Sequence, residues 1–101
     1  MTAFERLMKE FPDFDVNTLP AIPADWVDVS WHNDTCPSFE VAAYAAFNVY
    51  VFVDYEDPAK REHDGESRFY IIKVAANTGD TETLLETASW ADVLGYVADK
   101  F

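Results

Sequence analysis

The chain has 101 residues, with 19 Asp or Glu against seven Lys or Arg, for a formal net charge of −12. Half of the residues are hydrophobic and 16% aromatic, a composition that excludes a disordered acidic tail and suits one small folded domain over residues 1–101. The charge repels nucleic acid and anionic membrane surfaces, and no apolar run is long enough to span a bilayer.

The first predicted element is a helix. Thr2 and Glu5 have capping-box spacing, and Phe4, Leu7, Met8 and Phe11 share one helical face. Pro12 ends it. Residues 12–25 carry Pro12, Pro20 and Pro23 and read as an irregular connector, anchored by Phe14, Val16, Leu19 and Ile22. This amphipathic N-terminus lacks the apolar block of a secretory signal, and Cys36 is the only cysteine. Both features point to a reducing, cytoplasmic setting, in which Asn33-Asp34-Thr35 has no meaning as a glycosylation acceptor.

Residues 26–32 predict a strand with Val27, Val29 and Trp31 inward and Asp28, Ser30 and His32 outward. A turn over 33–37 follows. From Phe39 to Tyr55 the apolar residues keep one parity without a break. A straight strand of that length would reach ~55 Å at ~3.3 Å per residue, against a radius of gyration near ~13 Å for a domain this size. The segment must bend or break near residues 42–46; a helix over 39–46, capped by Ser38, is the competing expectation. Tyr50 and Phe52 make the second face of the 48–55 strand apolar, which predicts a central strand covered on both sides.

A charged connection spans residues 56–66. Residues 67–76 read as a strand with Tyr70, Ile72 and Val74 on one face and Phe69 and Ile71 on the other. Residues 77–80 read as a turn, and residues 81–87 as a short edge strand. A final helix starts near Ser89 or Thr87, with Trp90, Val93, Leu94, Val97, Ala98 and Phe101 in one stripe. The expected fold is α+β: a small, mostly antiparallel sheet of three to four strands with an N-terminal and a C-terminal helix packed on it.

No phosphate-binding glycine loop, dinucleotide fingerprint or nucleophile elbow occurs, and no cofactor is expected. His32 and Cys36 could form a thiolate pair, but turn-forming Asn33 and Asp34 between them favour a structural loop. Cys36, His32 and His63 are too few for zinc. Asp54, Glu56, Asp57, Glu62, Asp64 and Glu66 could hold calcium through oxygen, yet Lys60 and Arg61 interrupt them and the EF-hand spacing is missing.

The leading functional expectation is electrostatic. Carboxylates gathered on a rigid scaffold would let the protein occupy a basic cleft that normally holds nucleic acid. The candidate contacts are Asp13 and Asp15 in the connector, and Asp25 and Asp28 by the first strand. Asp54, Glu56, Asp57, Glu62, Asp64 and Glu66 lie around the charged loop, and Asp92 and Asp99 on one helix face. Size and charge resemble those of small acidic phage and plasmid proteins that block restriction or CRISPR complexes. That resemblance is one of class and carries over no residue roles. It implies a non-enzymatic, protein-binding inhibitor of a nucleic-acid-binding complex, touching neither nucleic acid nor membrane itself. The alternative is a protein-interaction domain, possible as a homodimer, that uses Tyr44, Tyr50 and Phe52. A small enzyme built on His32 or Cys36 ranks third.

Overall fold

The computed structural model describes residues 3–34, 36–61 and 67–101. Helix α1 (Ala3–Glu10) is followed by strands β1 (Val27–Asp28), β2 (Ser38–Ala43), β3 (Phe47–Val53), β4 (Phe69–Ala75) and β5 (Thr81–Thr87), then helix α2 (Trp90–Lys100). The strands form one antiparallel sheet in the order β1-β2-β3-β4-β5, a meander in which each strand pairs with its neighbour in sequence.

The expected three to four strands become five because the long extended run breaks. The molecule is at most 34 Å across, so a ~55 Å strand has no room. The chain turns back at residues 44–46, closed by the Tyr44 amide donating to the Phe47 carbonyl at 2.8 Å. Residues 38–43 are strand, not helix. A register shift between Glu40 and Ala42 then inserts one residue into β2. This bulge resets the pleat, so the single parity of residues 39–55 does not mean a single face.

The strand expected over residues 26–32 shrinks to Val27–Asp28, and its inward parity is reversed. Val27 is 57% exposed and Trp31 49% exposed, whereas Ser30 is fully buried. Register explains it. Val27 lies opposite Glu40 on the outer face. Ser30 is held by its own bonds: its Oγ accepts from the Ser38 amide at 3.2 Å, and its amide donates to Asp28 Oδ1 at 2.9 Å. Paired hydroxyl and amide groups make burial of a serine affordable.

Phe39, Val49, Val51, Val53, Phe69 and Ile71 share the inner face of the sheet, where Phe39, Val51, Ile71 and Leu85 form one cross-strand row. Leu7 and Phe11 from the N-terminal segment, Phe14 from the connector and Val93 from α2 cover that face. Each such side chain contributes roughly 1.5–3 kcal/mol by leaving water. Connector residues Val16, Leu19 and Ile22 pack against the same core as expected, while Met8 is exposed. Phe11 ends α1 by donating its amide to the Leu7 carbonyl at 2.8 Å, and Pro12 has no amide to continue. Helix α2 is capped by Ser89, whose hydroxyl accepts from the Asp92 amide at 3.3 Å. Its buried stripe is narrower than the spacing implies: Val93 is buried and Trp90, Tyr96 and Val97 pack against the core, but Leu94 and Phe101 stay exposed.

Strand β3 is the central strand of the five, as expected, but among the described residues no helix packs over its second face. Both helices and the connector pack against the core on one face. Tyr50, Phe52, Tyr70, Ile72 and Val74 on the other face are half-buried, and none belongs to the core. Among the described residues the fold is therefore two-layered, with the second face of the sheet uncovered around Tyr50, Ile72 and Val74 and closed at Ser38, which is buried.

Candidate functional site

The carboxylates separate into two kinds once their partners are known. Several serve the fold locally. Asp15 Oδ1 accepts from the Asn17 amide and Asp57 Oδ1 from the Ala59 amide, each at 3.0 Å, so each caps a short 3-10 turn. Asp28 holds the Ser30 amide. Asp54 is only 2% exposed, and its Oδ1 accepts from the Tyr55 amide at 2.8 Å. Asp92 accepts from the Thr87 hydroxyl at 2.9 Å, and Thr87 in turn accepts from the Ser89 amide, locking the entry to α2. Asp-x-Asn at residues 15–17 and Asp57-Pro58 are legible capping signals, so these roles could have been read from the chain.

Asp13, Asp15, Glu56 and Asp57 line one shallow groove with Thr18, Tyr55, Pro58 and Lys60. Asp25 borders a second, formed by Trp26, Val41, Leu94 and Phe101. Asp99 is exposed and pairs with Lys100 at 3.6 Å. Glu62, Asp64 and Glu66 lie outside the described residues, as does His63. Of the other nine candidates, Asp13, Asp15, Asp25, Glu56, Asp57, Asp92 and Asp99 are exposed, Asp28 is half-buried and Asp54 is buried.

Lys60 is exposed within the acid-lined groove, whereas the two arginines nearby are turned onto the chain itself. Arg61 donates through Nε to the Tyr55 carbonyl at 2.8 Å and through a terminal nitrogen to the Glu56 carbonyl at 3.1 Å. Arg68 donates to the carbonyls of Asp54 and Thr18, both at 3.0 Å, and so ties the connector to the end of the sheet. Burial lowers the Arg68 pKa, with Arg61 acting in the same direction, while Glu56 and Asp54 oppose the shift. Lys73 lies over the Phe47 ring, 4.5 Å from its centre, on the inner face.

The His32–Cys36 pair is divided. The His32 imidazole meets Glu10 Oε2 at 2.8 Å, and its backbone amide donates to the same oxygen at 3.2 Å. Cys36 is buried, 1% exposed. Among the described residues, no three His, Cys, Asp or Glu side chains gather as a metal would require. No helix among them is long and apolar enough to cross a membrane.

The three aromatic residues named as an interaction patch also divide. Tyr44 turns to the far end of α2, with its ring 5.0 Å from that of Phe47 and 6.3 Å from that of Phe101. Tyr50 and Phe52 stay together on the uncovered face. There Phe52 stands between Ser38 and Tyr70, with Glu86 beyond, and Tyr50 between Glu40 and Ile72, with Thr83 beyond. The Asn48 side-chain amide donates to the Tyr50 hydroxyl at 3.2 Å. Tyr70 has a raised pKa because burial, with Asp54 as a further cause, disfavours its phenolate. Tyr70, Ile72, Glu40 and Glu86 were not foreseen as surface partners of Tyr50 and Phe52. The alternation over 67–76 separates the faces of β4 but not which of them meets water.

The sequence matches no protein-family model, and comparison with curated proteins and with solved structures gives no significant match.

Proposed function

We propose that this protein is an acidic protein-binding module that occupies a basic, nucleic-acid-handling surface of another protein and blocks it by mimicking nucleic-acid charge. The reading is carried by the orientation of charge. Seven candidate carboxylates are exposed, while Arg61 and Arg68 spend their donors on backbone carbonyls and Lys73 sits over a ring. A formal charge of −12 on such a scaffold steers association with cationic surfaces and strengthens it at low salt. The test captures partners on the immobilised protein across a salt series. A gel-shift assay then asks whether the protein displaces nucleic acid from the captured partner. Competition that weakens steeply with salt supports the reading. A partner that binds equally well at high salt, or keeps its nucleic acid, refutes it.

A second reading, self-association, is favoured by Tyr50 and Phe52 lying on an uncovered sheet face. It requires a dimer by light scattering that persists at high salt, and a monomer at every concentration removes it.

A further inference from the structure

We propose that the uncovered sheet face docks an arginine-bearing segment of the basic partner, with guanidinium groups stacked on Tyr50, Phe52 and Tyr70 and paired to Glu40 and Glu86. This rests on the acidic-module reading and names its contact surface.

The geometry comes from the register. Tyr50 on β3 is opposite Ile72 on β4, and Phe52 is opposite Tyr70. Neighbouring strands stand ~4.8 Å apart and successive same-face residues ~6.6 Å apart. The three aromatic residues are therefore neighbours on this face, Phe52 and Tyr70 near one end of β3 and β4 and Tyr50 one same-face step away. Glu40 on β2 and Glu86 on β5 stand on their two sides, three strand spacings across and one same-face step along the strands, or ~16 Å apart. No described strand position on this face carries a Lys or Arg; the one strand cation, Lys73, is on the inner face. Arg61 acts electrostatically on Tyr70 from the end of the sheet, but its donors are bonded to the carbonyls of Tyr55 and Glu56.

Charge complementarity selects the occupant. Aromatic rings flanked by carboxylates suit a planar, weakly hydrated guanidinium, which stacks on rings and pairs with carboxylate through a two-pronged contact. Lysine, a compact and strongly hydrated charge, gains less there. A second copy would bring Glu40 and Glu86 against their own kind, between two chains of −12 each, with no Lys or Arg at a described strand position of the face to offset them. Single-stranded nucleic acid could stack on the rings, but its phosphates meet the same carboxylates.

The test uses fluorescein-labelled polyarginine and polylysine of about nine residues, long enough to reach ~30 Å when extended. Anisotropy is read at roughly physiological ionic strength, where distant surface charges are screened. Polyarginine should bind about tenfold more tightly than polylysine, and Tyr50→Thr should remove about tenfold of that affinity. Ile72→Thr, which keeps the branched carbon that suits a strand, should weaken it severalfold. Glu40→Gln should weaken it severalfold too. Asp34→Asn with Asp80→Asn, two exposed carboxylates outside the strands, should leave it within about twofold. Thermal melts check that each variant folds. Equal affinity for the two peptides, or equal loss from the Asp34/Asp80 and face variants, overturns the face while leaving the acidic-module reading intact. Binding of neither peptide even at low salt overturns both. A salt-resistant dimer broken by Tyr50→Thr assigns the face to a second copy and overturns the proposal.

Discussion

Ile71 and Ile72 are adjacent, identical in chemistry and on opposite faces of β4, so replacing each with Ala measures whether one face is covered. Ile71 is fully buried within the core, opposite Val51 and Leu85. Ile71→Ala removes three carbons, a transfer loss of about 2.4 kcal/mol at ~0.8 kcal/mol each. The well-packed surroundings leave a cavity that adds about 1 kcal/mol, for a total near 3.5 kcal/mol. Ile72 is half-buried between Tyr50 and Thr83, and water fills the space it leaves. Only the covered part of its transfer term is lost, about 1 kcal/mol. The change in strand propensity is common to both and cancels in the comparison. At roughly 4 °C per kcal/mol, the melting temperature should fall about 14 °C for Ile71→Ala and about 4 °C for Ile72→Ala. Urea unfolding followed by tryptophan fluorescence gives the free energies directly. Trp26 and Trp90, with rings 5.6 Å apart, report on the core. Equal losses within about 0.5 kcal/mol would refute the two-layer architecture and with it the uncovered face.

Other consequences of the structure are as direct. Cys36 is buried, so a thiol reagent should label the native protein far more slowly than the urea-unfolded chain; labelling at the unfolded rate contradicts its placement. Ser89→Ala deletes the acceptor for the Asp92 amide and should cost about 1 kcal/mol in a urea melt; no loss would mean the cap does not form. Gly79 has φ of +74° with open space around a notional Cβ, so Gly79→Ala should cost about 1 kcal/mol from backbone strain alone, and an unchanged melt would rule that out. Tyr55 and Tyr70 have pKa values raised above their ordinary value of 10.0, chiefly by burial. Their folded forms hold the proton more tightly than the unfolded chain does. The resulting stability is complete below pH 10.0 and is lost as pH rises through the folded values. Ultraviolet titration should show late phenolate formation coinciding with alkaline unfolding; two tyrosines ionising at the free value would be the contrary result.

Local pattern alone made most of the elements legible. The 67–76 alternation, the turn at 77–80 and the Ser89 cap each act within a few residues, and the structure keeps each with small changes at the ends. The functional acids were less legible. Asp15, Asp57 and Asp92 read as generic negative charge by composition, yet each accepts a hydrogen bond at a turn or helix start, which only their immediate neighbours reveal. Val27 and Trp31 alternate as buried residues should, but their exposure follows from pairing with β2 and from Ser30 filling the inner position.

The amino-acid order by itself determined the strand and helix propensities, the break required in the 39–55 run and the excess of negative charge, because these depend on neighbours along the chain and on simple length. Tertiary structure alone decided which side of the sheet the helices cover. A strand with apolar residues on both faces can bury either, and the choice is made by where α1, the connector and α2 find space to pack. The bulge between Glu40 and Ala42 belongs to the same class: one extra residue in a pairing reverses the face of everything beyond it. That reversal separates Tyr44 from Tyr50 and Phe52.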